Sequence, residues 1–304
     1  MRRGIQTLAY ITLFLAGFCG QAFSFPEKVL DDRKKEIEMP SRPERIVSLA
    51  PTNTELLFAL GLDKEIVGVT QFCDYPAAAK AKEKIGGFAN IDADRIVSLK
   101  PDLVLAFGTI QLPVVAELEK RGIRVFWIYP HTVNDILRSF ERIGKLTGRI
   151  DEAKRLRQGV EKEIGALQEA TGQTKDEKRL TVLRVMSFNT PATIGAESFQ
   201  TDIFSLAGGR NAFPAAGKDY FELSSDELAA GNPDVVLICG DDDAGLKQRI
   251  KESPLYGKLP AVQKGRVLVL PCDLTCKPGP RVGEMIRRLA EYLHPEIGYH
   301  RISN

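Results

Sequence analysis

Asp94–Leu105 reads "DRIVSLKPDLVL", and Asp226–Leu237 reads "DELAAGNPDVVL". Each phrase opens on an acid, sets Pro-Asp seven residues later and ends in an apolar run. An acid suits the start of a helix, where backbone amides point outward. The helix must stop before the proline, which lacks an amide donor and disfavours helical backbone at the preceding residue. The run of valine and leucine that follows is a buried strand. The same βα unit in each half of the chain predicts two related α/β lobes.

Working outward, the texture is regular. "RIVSL" (Arg45–Leu49) and "EIVGVT" (Glu65–Thr70) are strands around the helix "APTNTELLFALGL", where Thr52 and Glu55 have capping-box spacing and Gly61 is a stop. "CDYPAAA" is a turn into a short helix, and "LPVVAELEKRGIRVFWI" a helix and a strand. In the other half "LTVLRVMSF" and "GRVLVL" are strands, and "ESFQTDIFSLAGG", "GLKQRI" and "GPRVGEMIRRLAEYL" are helices. Strands alternating with helices over short loops give parallel sheets covered on both faces. Between the halves, Thr132–Ala170 has helical spacing and no strand-like run. The expected organisation is a leader at 25–42, an N-terminal lobe at 43–131, an interlobe helix at 132–171 and a C-terminal lobe at 178–298.

The 304 residues are 43% hydrophobic and 27% charged with a net charge of +2, which excludes a disordered chain and a polybasic surface for nucleic acid. Residues 1–24 have a basic start (Arg2, Arg3), an apolar Leu8–Phe18 and a small-x-small site at Ala22–Ser24. This layout is a secretory leader rather than a span, because the apolar run is too short. A lipid anchor would use Cys19, which Phe18 precedes unfavourably. The expected product is exported, cleaved after Ser24 and monomeric, and meets a membrane only through a partner. Four cysteines then remain in an oxidising compartment: Cys73, Cys239, Cys272 and Cys276. Cys272 and Cys276 share the loop "PCDLTCKPGP" and are the disulfide candidates; Cys239 reads as a buried thiol.

No nucleophile elbow, zinc-protease helix or phosphate loop is present. Two of the three histidines, His294 and His300, lie in the tail, so neither a metal site nor catalysis is expected. Strand-end loops instead carry aromatics, including Tyr75, Phe88, Tyr129 and Tyr220. These residues suit a wide, flat, partly apolar ligand between the lobes.

"RIVSLAPTNTELLFALG", "GVTQFCDYP", "GGFANIDADRIVSLKPDLVLA" and "LSSDELAAGNPDVVLI" resemble the substrate-binding proteins of ABC importers for vitamin B12 and iron–siderophores. The resemblance covers residues 42 to 295 and is strongest to the cobalamin-binding branch. It implies two Rossmann-like lobes bridged by one long rigid helix, no enzymatic activity, and no resident cofactor. Cobalamin or a related corrinoid would be the transported ligand, and a permease dimer with its ATPase the partner. Motif matches imply ligand contacts at Tyr75, Phe88 and Tyr220, the last two replacing family tryptophans. They also imply Asp273 and Lys277 in the late loop, with Cys73 beside Tyr75. The opening acids Asp94 and Asp226 match permease-docking glutamates. Alternatives are a ferric siderophore or haem as cargo, an exported hydrolase using Ser48, Cys73 or His131, and a ligand-free scaffold.

Overall fold

A computed structural model of the chain describes residues 25–171, 179–215 and 217–297. The leader at 1–24 with Cys19, the polar break at 172–178 and His300 lie outside the described residues. The first lobe contains strands β1 (Glu27–Leu30), β2 (Glu36–Met39) and β3 (Ile46–Ser48), then helix α1 (Pro51–Ala59) and β4 (Ile66–Val69). It continues with α2 (Ala93–Ser98), β5 (Leu103–Phe107), α3 (Leu112–Lys120) and β6 (Val125–Ile128). Two helices follow, α4 (Val133–Thr147) and α5 (Ile150–Thr171). The second lobe runs β7 (Thr181–Arg184), β8 (Ala192–Ile194), α6 (Phe199–Leu206), β9 (Arg210–Asn211), β10 (Tyr220–Glu222) and α7 (Ser225–Gly231). It ends with β11 (Val235–Cys239), α8 (Asp243–Glu252), α9 (Pro260–Gln263), β12 (Val267–Leu270), α10 (Cys272–Thr275) and α11 (Val282–Leu293).

The repeat is real at the level of topology. The four-stranded parallel sheets have the orders β4-β3-β5-β6 and β9-β7-β11-β12, which superimpose strand for strand in chain order. The quoted phrase leads into the same strand of each, β5 and β11. Asp92 caps α2 and Ser224 caps α7, so Asp94 and Asp226 both fall at the second helical residue. Lys100 and Asn232 then take left-handed backbone, with φ of 47° and 36°, directly before each proline. The aspartate after the proline is a clasp in both lobes. Asp102 Oδ2 accepts the amides of Glu44 and Arg45 at 2.8 Å each, and Asp234 Oδ2 accepts the amide and hydroxyl of Thr181 at 2.8 Å each. Each clasp sets the start of a central strand against its neighbour.

Alternate residues along the strands enter different cores, as a two-residue period requires. In the first sheet Val47, Val104 and Val125 pack with Ile96 and Leu118 of that lobe, and in the second Leu183, Val236 and Val267 pack with Ile250. The opposite faces, including Ile46, Leu103, Val182 and Leu237, belong to one cluster continuous with Phe140 and Ile143 of α4 and Ile164 and Leu167 of α5. The two lobes therefore share a core.

Two expectations are corrected. The interlobe segment is two helices, because Gly148 (φ 66°) ends α4 in left-handed backbone. Gly144 lets α5 cross closely: a Cβ there would lie 2.6 Å from that of Ala153. At 22 residues, α5 is about 33 Å long and supplies the rigid rod. The second correction concerns the stretch at 25–42, which is not a mere leader. β1 and β2 form an antiparallel hairpin whose Val29, Ile37 and Met39 are buried in the shared core.

If the clasps set the strands, Asp102→Ala and Asp234→Ala should each cost about 1–3 kcal/mol. Urea unfolding followed by circular dichroism measures this, and unchanged midpoints would show that the clasps do not matter.

Candidate functional site

Parallel sheets present their strand ends to ligands. Here the end of β5 and the loop after β6 of the first lobe face β8, α6 and β10 of the second across a cavity of about 200 Å³. Phe107, Tyr129 and Pro130 line it from one side, and Met186, Ile194, Phe199 and Tyr220 from the other. Ser198, Gln200, Asp219 and Cys276 are its polar wall.

Polar contacts join the lobes on either side of the cleft. On one flank Arg281 Nε and Nη2 donate to the two oxygens of Glu55 at 2.9 and 2.8 Å, a bidentate pair reaching from α1 to the segment before α11. Glu55 is only 4% exposed, and burial pushes its carboxyl upward against the pull of Arg281. Lys277 Nζ lies 3.6 Å from Glu55 and 3.4 Å from Asp74, and the Thr52 hydroxyl donates to the Pro278 carbonyl at 2.7 Å. On the other flank the Tyr129 hydroxyl donates to Asp219, and His131 Nδ1 lies 2.8 Å from the Glu197 carbonyl oxygen. Burial, reinforced by Asp219, pushes the Tyr129 phenol upward, so it is a donor at any working pH.

The expected capping box at Thr52 and Glu55 is thus overturned. Pro51 starts α1 without a side-chain cap, leaving both residues for the cross-lobe contact. Tyr220 is 70% exposed and lines the cavity. Tyr75, 47% exposed, lies under the Arg281 guanidinium, 4.1 Å from its ring centre. Phe88 is half-buried with its ring 6.5 Å from that of Phe107, so it backs the cavity wall rather than forming it. Asp273 pairs with Arg281 at 3.0 Å, and Lys277 is spent on the first lobe. Cys73, expected at the ligand, is 1% exposed, with its sulfur 3.1 Å from the Thr54 hydroxyl and 3.2 Å from that of Thr70. Asp94 and Asp226 are exposed, and Arg121 pairs with Asp94.

The four described cysteines are free thiols, and the expected Cys272–Cys276 pairing is not the close one. Cys272 Sγ lies 2.7 Å from Cys239 Sγ, because Leu270, two residues before Cys272, is the register partner of Cys239. Sequence reading missed this sheet neighbour, and it missed Glu55 and Arg281. Tyr129, which directly follows β6 and its "WI" end, and Tyr220 were cavity residues that their strand-end or loop positions advertised. Ser48, Cys73 and His131 do not converge as a hydrolase would require: Ser48 is fully buried against Thr54, and His131 faces Glu197. Among the described residues no group of three His, Cys, Asp or Glu is spaced to hold a metal ion, and no helix is long and apolar enough to cross a membrane.

Twin parallel-sheet lobes welded by helices, with an aromatic cleft at their strand ends, define a two-lobed binding protein. The chain belongs to the periplasmic binding protein family, whose model matches residues 46–274. It is 28% identical over 277 residues to the ABC transporter substrate-binding lipoprotein YvrC of Bacillus subtilis (strain 168), covering 90% of this chain and 87% of that one. It is 26% identical over 256 residues to the vitamin B12-binding protein of Photorhabdus laumondii, covering 83% and 88%. The periplasmic heme-binding protein RhuT from Roseiflexus sp. RS-1 superimposes with a TM-score of 0.72 at 26% identity, over 83% of this chain and 98% of that one. The chain is therefore a substrate-binding protein of the ABC-importer type, a transport component that works with a permease and its ATPase and not an enzyme.

Removing one partner of a buried charge pair leaves the other uncompensated, so Arg281→Ala should destabilise the protein by about 3–5 kcal/mol. The double variant Glu55→Leu/Arg281→Leu should recover most of that loss in a denaturation cycle. Additive losses would show that the two side chains are not coupled.

Proposed function

We propose that the protein is exported, captures a corrinoid such as cobalamin between its lobes and hands it to an ABC importer. The observation that carries the choice of cargo is the charge of the cleft. Among the described residues its lining holds aromatics, amide and hydroxyl groups and one carboxylate, Asp219, but no lysine or arginine. The late-loop cations Lys277 and Arg281 are already paired with Glu55, Asp74 and Asp273, and Arg184, behind the wall, is turned to Gln200, the Val185 carbonyl and Cys276. A neutral ring with amide arms suits such a wall, whereas an anionic chelate or the two carboxylates of haem would need unpaired cations there. The name of the Photorhabdus relative points the same way. The cavity is smaller than the ~300–1,000 Å³ usual for drug-sized ligands. Much of a corrin would therefore rest on the exposed aromatics Tyr75 and Tyr220, or displace the Tyr129–Asp219 contact.

The sequence has a single tryptophan, Trp127, with its ring 5.5 Å from that of Tyr129. Cyanocobalamin added to the purified mature chain should quench its fluorescence and release heat, and Tyr220→Ala should weaken binding about tenfold or more. No quenching at up to about 100 µM cyanocobalamin, with quenching by haemin instead, would assign the cargo to haem.

For delivery, Asp94 and Asp226 supply one exposed carboxylate per lobe at equivalent helix positions, as a permease with two equivalent halves requires. Charge reversal at either, Asp94→Lys or Asp226→Lys, should leave the cyanocobalamin titration unchanged and lower importer-dependent uptake about tenfold. Unchanged uptake would remove the docking role.

A further inference from the structure

Cys239 ends β11, Cys272 opens α10 after the neighbouring β12, and Cys276 follows α10. Cys239 Sγ lies 2.7 Å from Cys272 Sγ and 3.8 Å from Cys276 Sγ. Two thiolates on one tetrahedral ion, each at ~2.3 Å, stand about 3.8 Å apart, so the closer pair is too tight to share a metal. It lies instead within ~0.7 Å of the ~2.05 Å of a disulfide bond. Beside the trio is Arg184, the last residue of β7, which is 2% exposed. Its guanidinium donates to Gln200 at 3.2 Å, to the Val185 carbonyl, and to Cys276 Sγ at 3.6 Å. Among the described residues no carboxylate pairs with it. A buried cation without a carboxylate needs another counter-charge, and the Cys276 sulfur lies within hydrogen-bond distance of it. The hydrogen bond from Cys276, aided by Arg184 and Cys272, draws the Cys239 thiol down to about 5.

We infer that Cys239, Cys272, Cys276 and Arg184 form a thiol redox site, in which Cys239 and Cys272 are the disulfide-forming pair and Cys276 stays reduced at the cleft wall. The oxidant is a low-molecular-weight disulfide, R–S–S–R. The Cys239 thiolate attacks one sulfur of R–S–S–R, forming a mixed disulfide and expelling RS⁻. Cys272 passes its proton to RS⁻ and attacks the Cys239 sulfur, closing the Cys239–Cys272 bond and releasing the second RS⁻. Cys272 and Cys276 are exposed, so a small disulfide can reach the trio. The bond would fix the start of α10 to β11. That segment leads straight into Lys277 and Arg281, the second lobe's half of the cross-lobe ion pairs, and Cys276 itself lines the cavity. The inference does not depend on which cargo the cleft takes.

The test uses residues 25–304, reduced and then exposed to oxidised glutathione, alkylated in denaturant and cut before aspartates, which separates Cys272 from Cys276. A peptide linking Cys239 to Cys272 is expected, with Cys276 and Cys73 alkylated and the same link in Cys276→Ser. In the reduced protein at pH 6, one sulfur of the trio should alkylate about tenfold faster than a free cysteine, since its higher thiolate fraction outweighs its lower nucleophilicity. Alkylation of all four cysteines after glutathione, a Cys272–Cys276 link, a metal ion co-eluting with the trio, or labelling at the ordinary rate would each overturn the site.

Discussion

Both sheets turn one face toward the same helical hairpin, and everything else in the molecule follows from that shared burial. Phe140 and Ile143 on α4 and Ile164 and Leu167 on α5 lie in one apolar cluster with Leu103 of the first sheet and Leu237 of the second. At ~25 cal/mol per Å², a core of this kind cannot be opened without exposing large area to water. The lobes are thus set at a fixed spacing, and the cleft between their strand ends is a consequence of that spacing rather than of a flexible linker.

Across the mouth of this cleft the contacts are polar and carry direction instead of bulk stability. A bidentate Glu55–Arg281 pair, with Lys277 reaching Asp74, aligns one flank, while Tyr129 and His131 meet Asp219 and Glu197 on the other. Buried pairs of this type give little net stability against apolar replacements, but they tolerate few alternative registers. Their second effect is on recognition. By consuming the cations of the late loop, they leave a wall of aromatic and polar groups with one carboxylate, Asp219, a surface suited to a flat ring.

Much of the fold was legible residue by residue. The two opening phrases placed β5 and β11, and the left-handed Lys100 and Asn232 stand where the following prolines required a break. The site was legible in part: Tyr220 reached the cavity, whereas Cys73 went into the interior and Lys277 into an ion pair. Thr52 and Glu55 satisfied a local rule for helix starts yet were used elsewhere, since Pro51 already starts α1. The hairpin of β1 and β2 was missed because its short "EKVL" and "EIEM" strands carry few apolar residues.

Sequence alone determined most of the α/β elements and their duplication, because period-two burial, helix stops and turn chemistry act between residues a few positions apart. Tertiary structure alone decided the partners. Glu55 and Arg281 are 226 positions apart, and Cys239 and Cys272 are brought together by strand register. A carboxylate or a thiol follows the same local rules wherever it lies. Which charge or sulfur answers it depends on what the packed chain has removed from water around it.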